Sequence, residues 1–281
     1  MDEAHQSESV STQSPDGVFD DDDETGLAPA IPAATLVIFH EDENGSAPPR
    51  ILMVRRAATM AFAAGAAVFP GGRVDDDDHE LGAMLADSHG MELPDAAARV
   101  AAIRETLEET GLAVGLAHDG DSRQLASMRR ALLEEMPFSK AIEHYGARLM
   151  LDALTPFSRW RPNFAHSRVF DTRFYLARLT GPLPDHDVVL AENSDLFWLS
   201  ASDAVEQAAA GALHMIFPTR RNLERLAQYS NFAEAHESTR FYPSRRITPF
   251  IVERDGTQHL CIRDDCGYPV TSEILGSVMR D

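Results

Sequence analysis

AARVAAIRETLEETGL, residues 97–112, is the stretch on which the reading of this chain turns. Val100, Ile103 and Leu107 recur at helical spacing and make one apolar stripe, and Gly111 stands where a glycine ends a helix. Glu105, Glu108 and Glu109 lie at i, i+3 and i+4, so at about 100° per residue they share one arc, roughly opposite Leu107. Like charges at this spacing weaken a helix by a few tenths of a kcal/mol per pair, and no basic residue follows between 105 and 120, leaving Arg104 alone to offset them locally. An ordinary solvated helix face is one reading of the three carboxylates. The other is a site for a hard divalent cation, Mg²⁺ or Mn²⁺, which takes oxygen ligands and can deprotonate an attacking water.

Working outward, the apolar β-branched run 33–40 and the run 50–56 are joined by the polar Gly/Pro stretch 41–49 and predict two strands of a buried sheet. Between 121 and 154 two helices are expected, divided at Pro137, and 168–179 alternates like a long strand. A short strand at 196–200, a helix opened by Ser200 or Ser202, a helix from Pro218 and a terminal hairpin over 246–256 and 259–265 complete the pattern. Strands and helices interleave without an internal repeat, which predicts one α/β or α+β layered domain over 30–281. Residues 1–29, rich in Ser, Asp, Glu and Gln, bury too little apolar surface to order and read as a disordered acidic tail.

The net charge of −20 over 281 residues disfavours binding to a nucleic-acid polymer, because no basic face is set apart from the acidic surface. A small polyphosphate remains compatible, since cations can sit between protein carboxylates and phosphate oxygens. No run of about 18 apolar residues is present and the first thirty residues fit neither a secretory nor a transit peptide, so no membrane partner is expected and the cytoplasm is the default location. Cys261 and Cys266 read as reduced thiols. The sequence leaves the choice between monomer and homodimer open.

The order Arg104, Glu105, Thr106, Leu107, Glu108, Glu109, Thr110, Gly111, Leu112, preceded by Phe69-Pro70-Gly71-Gly72, resembles the Nudix box: Gly, five residues, Glu, seven residues, Arg-Glu-apolar-x-Glu-Glu-x-Gly-apolar. Arg104 follows Gly72 by thirty-two residues where the family spacing is fourteen, so 73–95 reads as an insertion with eighteen extra residues, looped over the surface with its run Asp75 to Asp78 facing solvent. Counting back from Arg104, the upstream glutamate falls on Ala96, with Asp95 beside it as a stand-in. The resemblance implies a Nudix-type α/β/α sandwich with a mixed sheet and extra helical insertions, the second over 121–154. It also implies that Glu105, Glu108 and Glu109 bind metal or serve as general base, that the Gly72 carbonyl completes the shell, and that Arg104 orients a glutamate. Glu192, in a loop before Trp198, is the candidate additional acid; a solvated loop acid is its competing reading.

The runs LMVRRAATMAFAAGAAVFPGG and RVFDTRFYLARL look like the branch that includes peroxisomal coenzyme A and acyl-CoA diphosphatases. A second CoA-type branch has a signature ending Arg-x3-Gly-x3-Phe-Pro-Gly-Gly, which is incomplete here, with Gly65 in place and Ala61 where its arginine belongs. The implied partner is a small nucleoside diphosphate derivative, with CoA or an acyl-CoA favoured, and ADP-ribose, NADH or a non-catalytic nucleotide sensor as alternatives. Arg55, Arg56, Arg168 and Arg173 are the candidate phosphate contacts, against a competing reading as surface or structural ion pairs. FDTRFY has a further reading as the strand packing of the family, with Arg173 outward and Phe170 inward.

Overall fold

The computed structural model describes residues 29–42, 47–56, 65–162, 169–180 and 195–278, and its centre is a mixed sheet. That sheet uses β1 (Ile31–His40), β2 (Arg50–Arg55), β3 (Ala67–Val68) and β4 (Gly71–Arg73). The first helices follow, α1 (Asp76–His89) and α2 (Leu93–Thr110), then the short strand β5 (Leu116–Ala117). Next come α3 (Ser122–Leu133), α4 (Phe138–Tyr145), β6 (Arg148–Leu149), β7 (Thr155–Trp160), β8 (Phe170–Leu179) and β9 (Asp195–Ser200). The remainder is α5 (Ala201–Ala209), α6 (Phe217–Leu226), α7 (Phe232–Phe241), β10 (Arg246–Ile247), β11 (Phe250–Arg254), β12 (Thr257–Cys261), β13 (Ser272–Ile274) and α8 (Leu275–Val278).

The sheet runs β10-β7-β8-β1-β2-β3, with β4 also paired to β1 and β9 to β2. β1 is parallel to β8 and antiparallel to β2 and β4, so one long apolar strand organises both directions. Alternation along it divides the core. Leu36 and Ile38 join Tyr175, Ala177, Val100, Ile103 and Leu107 under α2, while Val37 and Phe39 join Phe174, Leu176, Leu223 and Leu226 on the opposite face. The result is a three-layer α/β/α sandwich, as the box resemblance implies.

Several expectations are refined. Residues 73–95 are no loop over the surface: α1 packs along α2, and the crossing is close because Gly82 faces Ala97, whose backbone N would stand 2.6 Å from any added Cβ. The helix expected from 139 to 154 ends earlier, at Gly146, where φ of +63° turns the chain into β6 and a short 3-10 turn at Leu151–Ala153. Ser200, rather than Ser202, caps α5 by accepting from the Asp203 N–H at 3.0 Å. The expected terminal hairpin is β11 and β12, joined by β13 as a third strand. Cys261 and Cys266 are buried free thiols. The acidic tail falls almost wholly on residues 1–28, outside the described residues.

Candidate functional site

The site forms where α2 lies over β4. α2 begins with Pro94 in its first turn and ends at Gly111, whose left-handed conformation (φ +74°) lets its N–H return to Leu107 O. The apolar stripe fixes the rotation of the helix on the sheet, which turns Arg104, Glu105 and Glu109 toward the Gly71-Gly72 turn. The Glu105 carboxylate lies directly over Gly72: a Cβ there would stand 2.3 Å from its Oε1. Any residue larger than glycine at 72 would push the carboxylate out. Glu109 Oε2 accepts from the Gly71 N–H at 3.0 Å, so two of the three glutamates lie against this turn and one is bonded to it.

Arg104 is nearly enclosed and its donors are fully committed. Nε and Nη2 donate to Asp78 Oδ1 and Oδ2 at 3.0 and 2.8 Å, and Nη2 also reaches Arg73 O at 3.0 Å. Nη1 reaches Glu105 Oε1 at 3.0 Å and Glu108 Oε2 at 3.3 Å. Asp78 is 0% exposed, and its Oδ2 also accepts from the Asp75 N–H at 2.9 Å, which starts α1. This two-pronged ion pair anchors the guanidinium and aims it along the carboxylates. Burial alone would make Arg104 easier to deprotonate, but Asp78, Glu105 and Glu108 outweigh it and hold the group charged.

The carboxylates outnumber the cations beside them. Burial pushes Glu105 up to about 8; Arg104 pulls against this, while Glu108 and Glu109 add to it. Burial likewise pushes Glu109 up to about 7 against the Gly71 N–H and the charge of Arg56, and Glu108 is raised mainly by burial. Such a set of oxygen donors fits a hard divalent cation, whose charge would replace the protons. The donors are not yet gathered: Glu105 and Glu108 lean to Arg104 and Glu109 to Gly71, and among the described residues no three His, Cys, Asp or Glu side chains stand about one point.

Comparison with known proteins finds Nudix hydrolases. The chain is 28% identical over 226 residues to acyl-coenzyme A diphosphatase NUDT19 of Homo sapiens, covering 73% of this chain and 58% of that one. Over 186 residues it is 27% identical to a Caenorhabditis elegans protein carrying the name nudix hydrolase 7, covering 65% and 57%. The chain thus spans less than three fifths of the length of these two curated relatives. Its fold matches the crystal structure of a NUDIX hydrolase from Alicyclobacillus acidocaldarius with a TM-score of 0.62 and 26% identity, over 74% of this chain and 96% of the other. The chain is similar to Nudix hydrolases in sequence and in fold. No protein-family model matches it.

Against the Nudix box, the main correction concerns the upstream acid. Ala96 is fully buried in the core and Asp95 is committed elsewhere, accepting from the Tyr175 hydroxyl and from Arg99 Nε, each at 2.8 Å. The acid that meets Arg104 is Asp78, which follows Gly72 after the five residues the Nudix pattern requires. On that count the eighteen extra residues fall between Asp78 and Arg104, and the run Asp75 to Asp78 is not wholly solvent-facing: Asp75 and Asp76 are exposed, Asp77 is half-buried and Asp78 is interior. Counting forward from Gly72 instead of back from Arg104 is the sequence signal that finds it.

The other Nudix candidates divide. Arg56 is half-buried and close enough to Glu109 to bear on its charge. Arg55 points away, exposed, lying over the Phe197 ring and 3.8 Å from Asp195. Arg173 pairs with Ala34, which pairs with Gly72, and its alternation with Tyr175 and Ala177 puts it on the sheet face that α2 covers; the outward reading is corrected. Phe170 lies on the face of Phe174 and Leu176. Glu192, Arg168 and Ala61 lie outside the described residues. Among the described residues no helix is long and apolar enough to cross a membrane.

The raised carboxylates make a measurable link between pH and cation. A folded-state pKa above the ordinary 4.5 means the folded chain holds more protons than the unfolded one, so stability falls as pH rises from about 4.5 through about 8. In chelator the melting temperature is expected to fall across this window, and Mg²⁺ or Mn²⁺ to raise it more at pH 8.5 than at pH 5.5. Thermal scans of wild type against a Glu105→Gln, Glu109→Gln double variant isolate these groups from the general acidic charge. An equal slope in both proteins contradicts the assignment.

Proposed function

We propose that the chain is a Mg²⁺- or Mn²⁺-dependent hydrolase of the diphosphate linkage in a nucleoside diphosphate derivative, with coenzyme A or an acyl-CoA as the favoured substrate. The observation that carries the reading is the Glu105 carboxylate seated over the bare Cα of Gly72, with Glu108 and Glu109 on the same helix and one guanidinium aiming the group. The substrate preference rests on the likeness to proteins named acyl-coenzyme A diphosphatase, at 28% and 24% identity.

Glu105, Glu108, Glu109 and the Gly72 carbonyl would hold the cation, which supplies charge neutralisation at the phosphoryl oxygens and a more acidic water. One of the three glutamates takes the water's proton; the water oxygen bonds to phosphorus as the bridging P–O bond breaks. From CoA the products are phosphopantetheine and adenosine 3',5'-bisphosphate. Arg104 keeps Glu105 and Glu108 oriented, and its anchor on Asp78 keeps it from swinging to the substrate. Arg56, beside Glu109, is the arginine best placed to meet a phosphate, with Arg173 on the same covered face. Glu192 and Arg168 keep their proposed roles as additional acid and phosphate contact, and Arg55 is the weakest of the phosphate candidates because its charge faces Asp195.

A non-catalytic nucleotide sensor is the alternative; Asp78, at the position of the upstream acid of the box, favours the hydrolase. The deciding assay gives the purified protein Mg²⁺ or Mn²⁺ and CoA, acyl-CoA, ADP-ribose, NADH or dinucleoside polyphosphates, with products read by mass. Fastest turnover of a CoA compound is the expected result; preference for ADP-ribose or NADH moves the substrate class. Metal-dependent binding with no turnover of any compound would falsify the hydrolase reading.

A further inference from the structure

The last turn of α2 has no cation of its own: after Arg104 the helix contains no Lys or Arg, and the Gly111 N–H returns to Leu107 O. The carbonyls of Glu108 and Glu109, among the last four of the helix, therefore lack partners within it. They are met from outside. Arg129 on α3 donates from Nε to Glu108 O at 2.9 Å and from Nη2 to Glu109 O at 3.4 Å. Its guanidinium lies against the open face of Gly111, where an added Cβ would stand 3.4 Å from Nη1.

We propose that Arg129 is a positioning residue for the carboxylate helix, bridging two successive carbonyls so that the last turn cannot rotate or fray and Glu108 and Glu109 leave it in fixed directions. The inference deepens the reading of these glutamates as cation ligands and rests on it. A planar fork reaches two carbonyls at once where a lysine ammonium acts as a point donor. A positive charge at a helix C-terminus also complements the helix dipole. The two effects of Arg129 on a bound cation oppose each other. As a neighbouring positive charge it repels the cation, so removal would tighten binding; as a clamp it holds the ligands, so removal weakens binding. The geometry, with two hydrogen bonds to ligand-bearing residues, favours the clamp.

Full-length Arg129→Met and Arg129→Lys variants separate these. Free Mn²⁺ is followed by electron paramagnetic resonance, kcat and KM are measured separately, and amide hydrogen exchange is read at Gly111 and Leu112. For Arg129→Met the Mn²⁺ Kd should rise about 10- to 100-fold, the span typical when an outer partner of a metal ligand is lost. The kcat should fall with the nucleotide KM unchanged, and the two amides should exchange faster. Arg129→Lys should fall between the two proteins. Equal or tighter Mn²⁺ binding by Arg129→Met overturns the proposal, as does an Arg129→Lys protein indistinguishable from wild type. Should the methionine variant not fold, the lysine variant carries the decision on the same readouts. If wild type itself binds no Mn²⁺, the cation reading fails, and the amides still decide for Arg129: protection equal to wild type in the variant refutes the clamp.

Discussion

Glu109→Gln is expected to lower turnover of the best substrate by about 10²- to 10⁴-fold while leaving the fold intact, the range for loss of a group that moves a proton or shapes the reacting centre. The side chain amide keeps an oxygen for the Gly71 N–H, so the contact between the turn and α2 survives. What is lost is the negative charge. That charge is costly in the folded chain at neutral pH, since burial raises Glu109 to about 7, so the variant's urea midpoint should equal or exceed that of wild type. Loss of turnover with retained stability separates a functional carboxylate from a structural one. Near wild-type turnover would place the cation elsewhere on the molecule.

Asp78→Ala should show the reverse pattern, a fold weakened by about 3–5 kcal/mol, the cost of stranding one member of a buried ion pair. Arg104 is nearly enclosed, and Asp78 receives two of its donors; alanine leaves them facing a void and removes the acceptor for the Asp75 N–H at the start of α1. Asp78→Asn keeps the shape and should cost less, because the amide oxygen still accepts. Released from its anchor, Arg104 is free to draw Glu105 and Glu108 more closely, so cation affinity falls in whatever fraction stays folded. Urea denaturation at pH 7 is the measurement, and a shift below about 1 kcal/mol would mean that Arg104 is held well enough by its remaining acceptors.

The contrast between these variants shows what a one-dimensional reading could reach. The helix was legible because Val100, Ile103, Leu107 and Gly111 write its face and its end into the spacing, and the glutamates follow by arithmetic. β1 was legible because its residues are apolar on both faces, as a central strand requires. Asp78 was not, because a spacing rule counted from Arg104 crosses the extra residues and lands in the core at Ala96. Nor does the stretch 76–89 show a strong apolar stripe: α1 uses small residues, Gly82 and Ala86, to approach α2, and small residues leave little periodic signal. Arg129 lies outside any box pattern. Its partners are backbone carbonyls, which no side-chain pattern records.

The tip at Gly90 between α1 and α2 has a practical consequence. Gly90 takes a left-handed conformation (φ +61°), is exposed, and has no neighbour within 4 Å of where a Cβ would lie. Asp78 lies in the first turn of α1 and Arg104 in the second half of α2, both away from this tip, so chain added after Gly90 leaves the ion pair in place. Each doubling of such a loop costs only about 0.6 kcal/mol. The tip is therefore a grafting point: a binding peptide, a fluorophore acceptor or a second domain could be spliced there and carried by the protein without entering its chemistry.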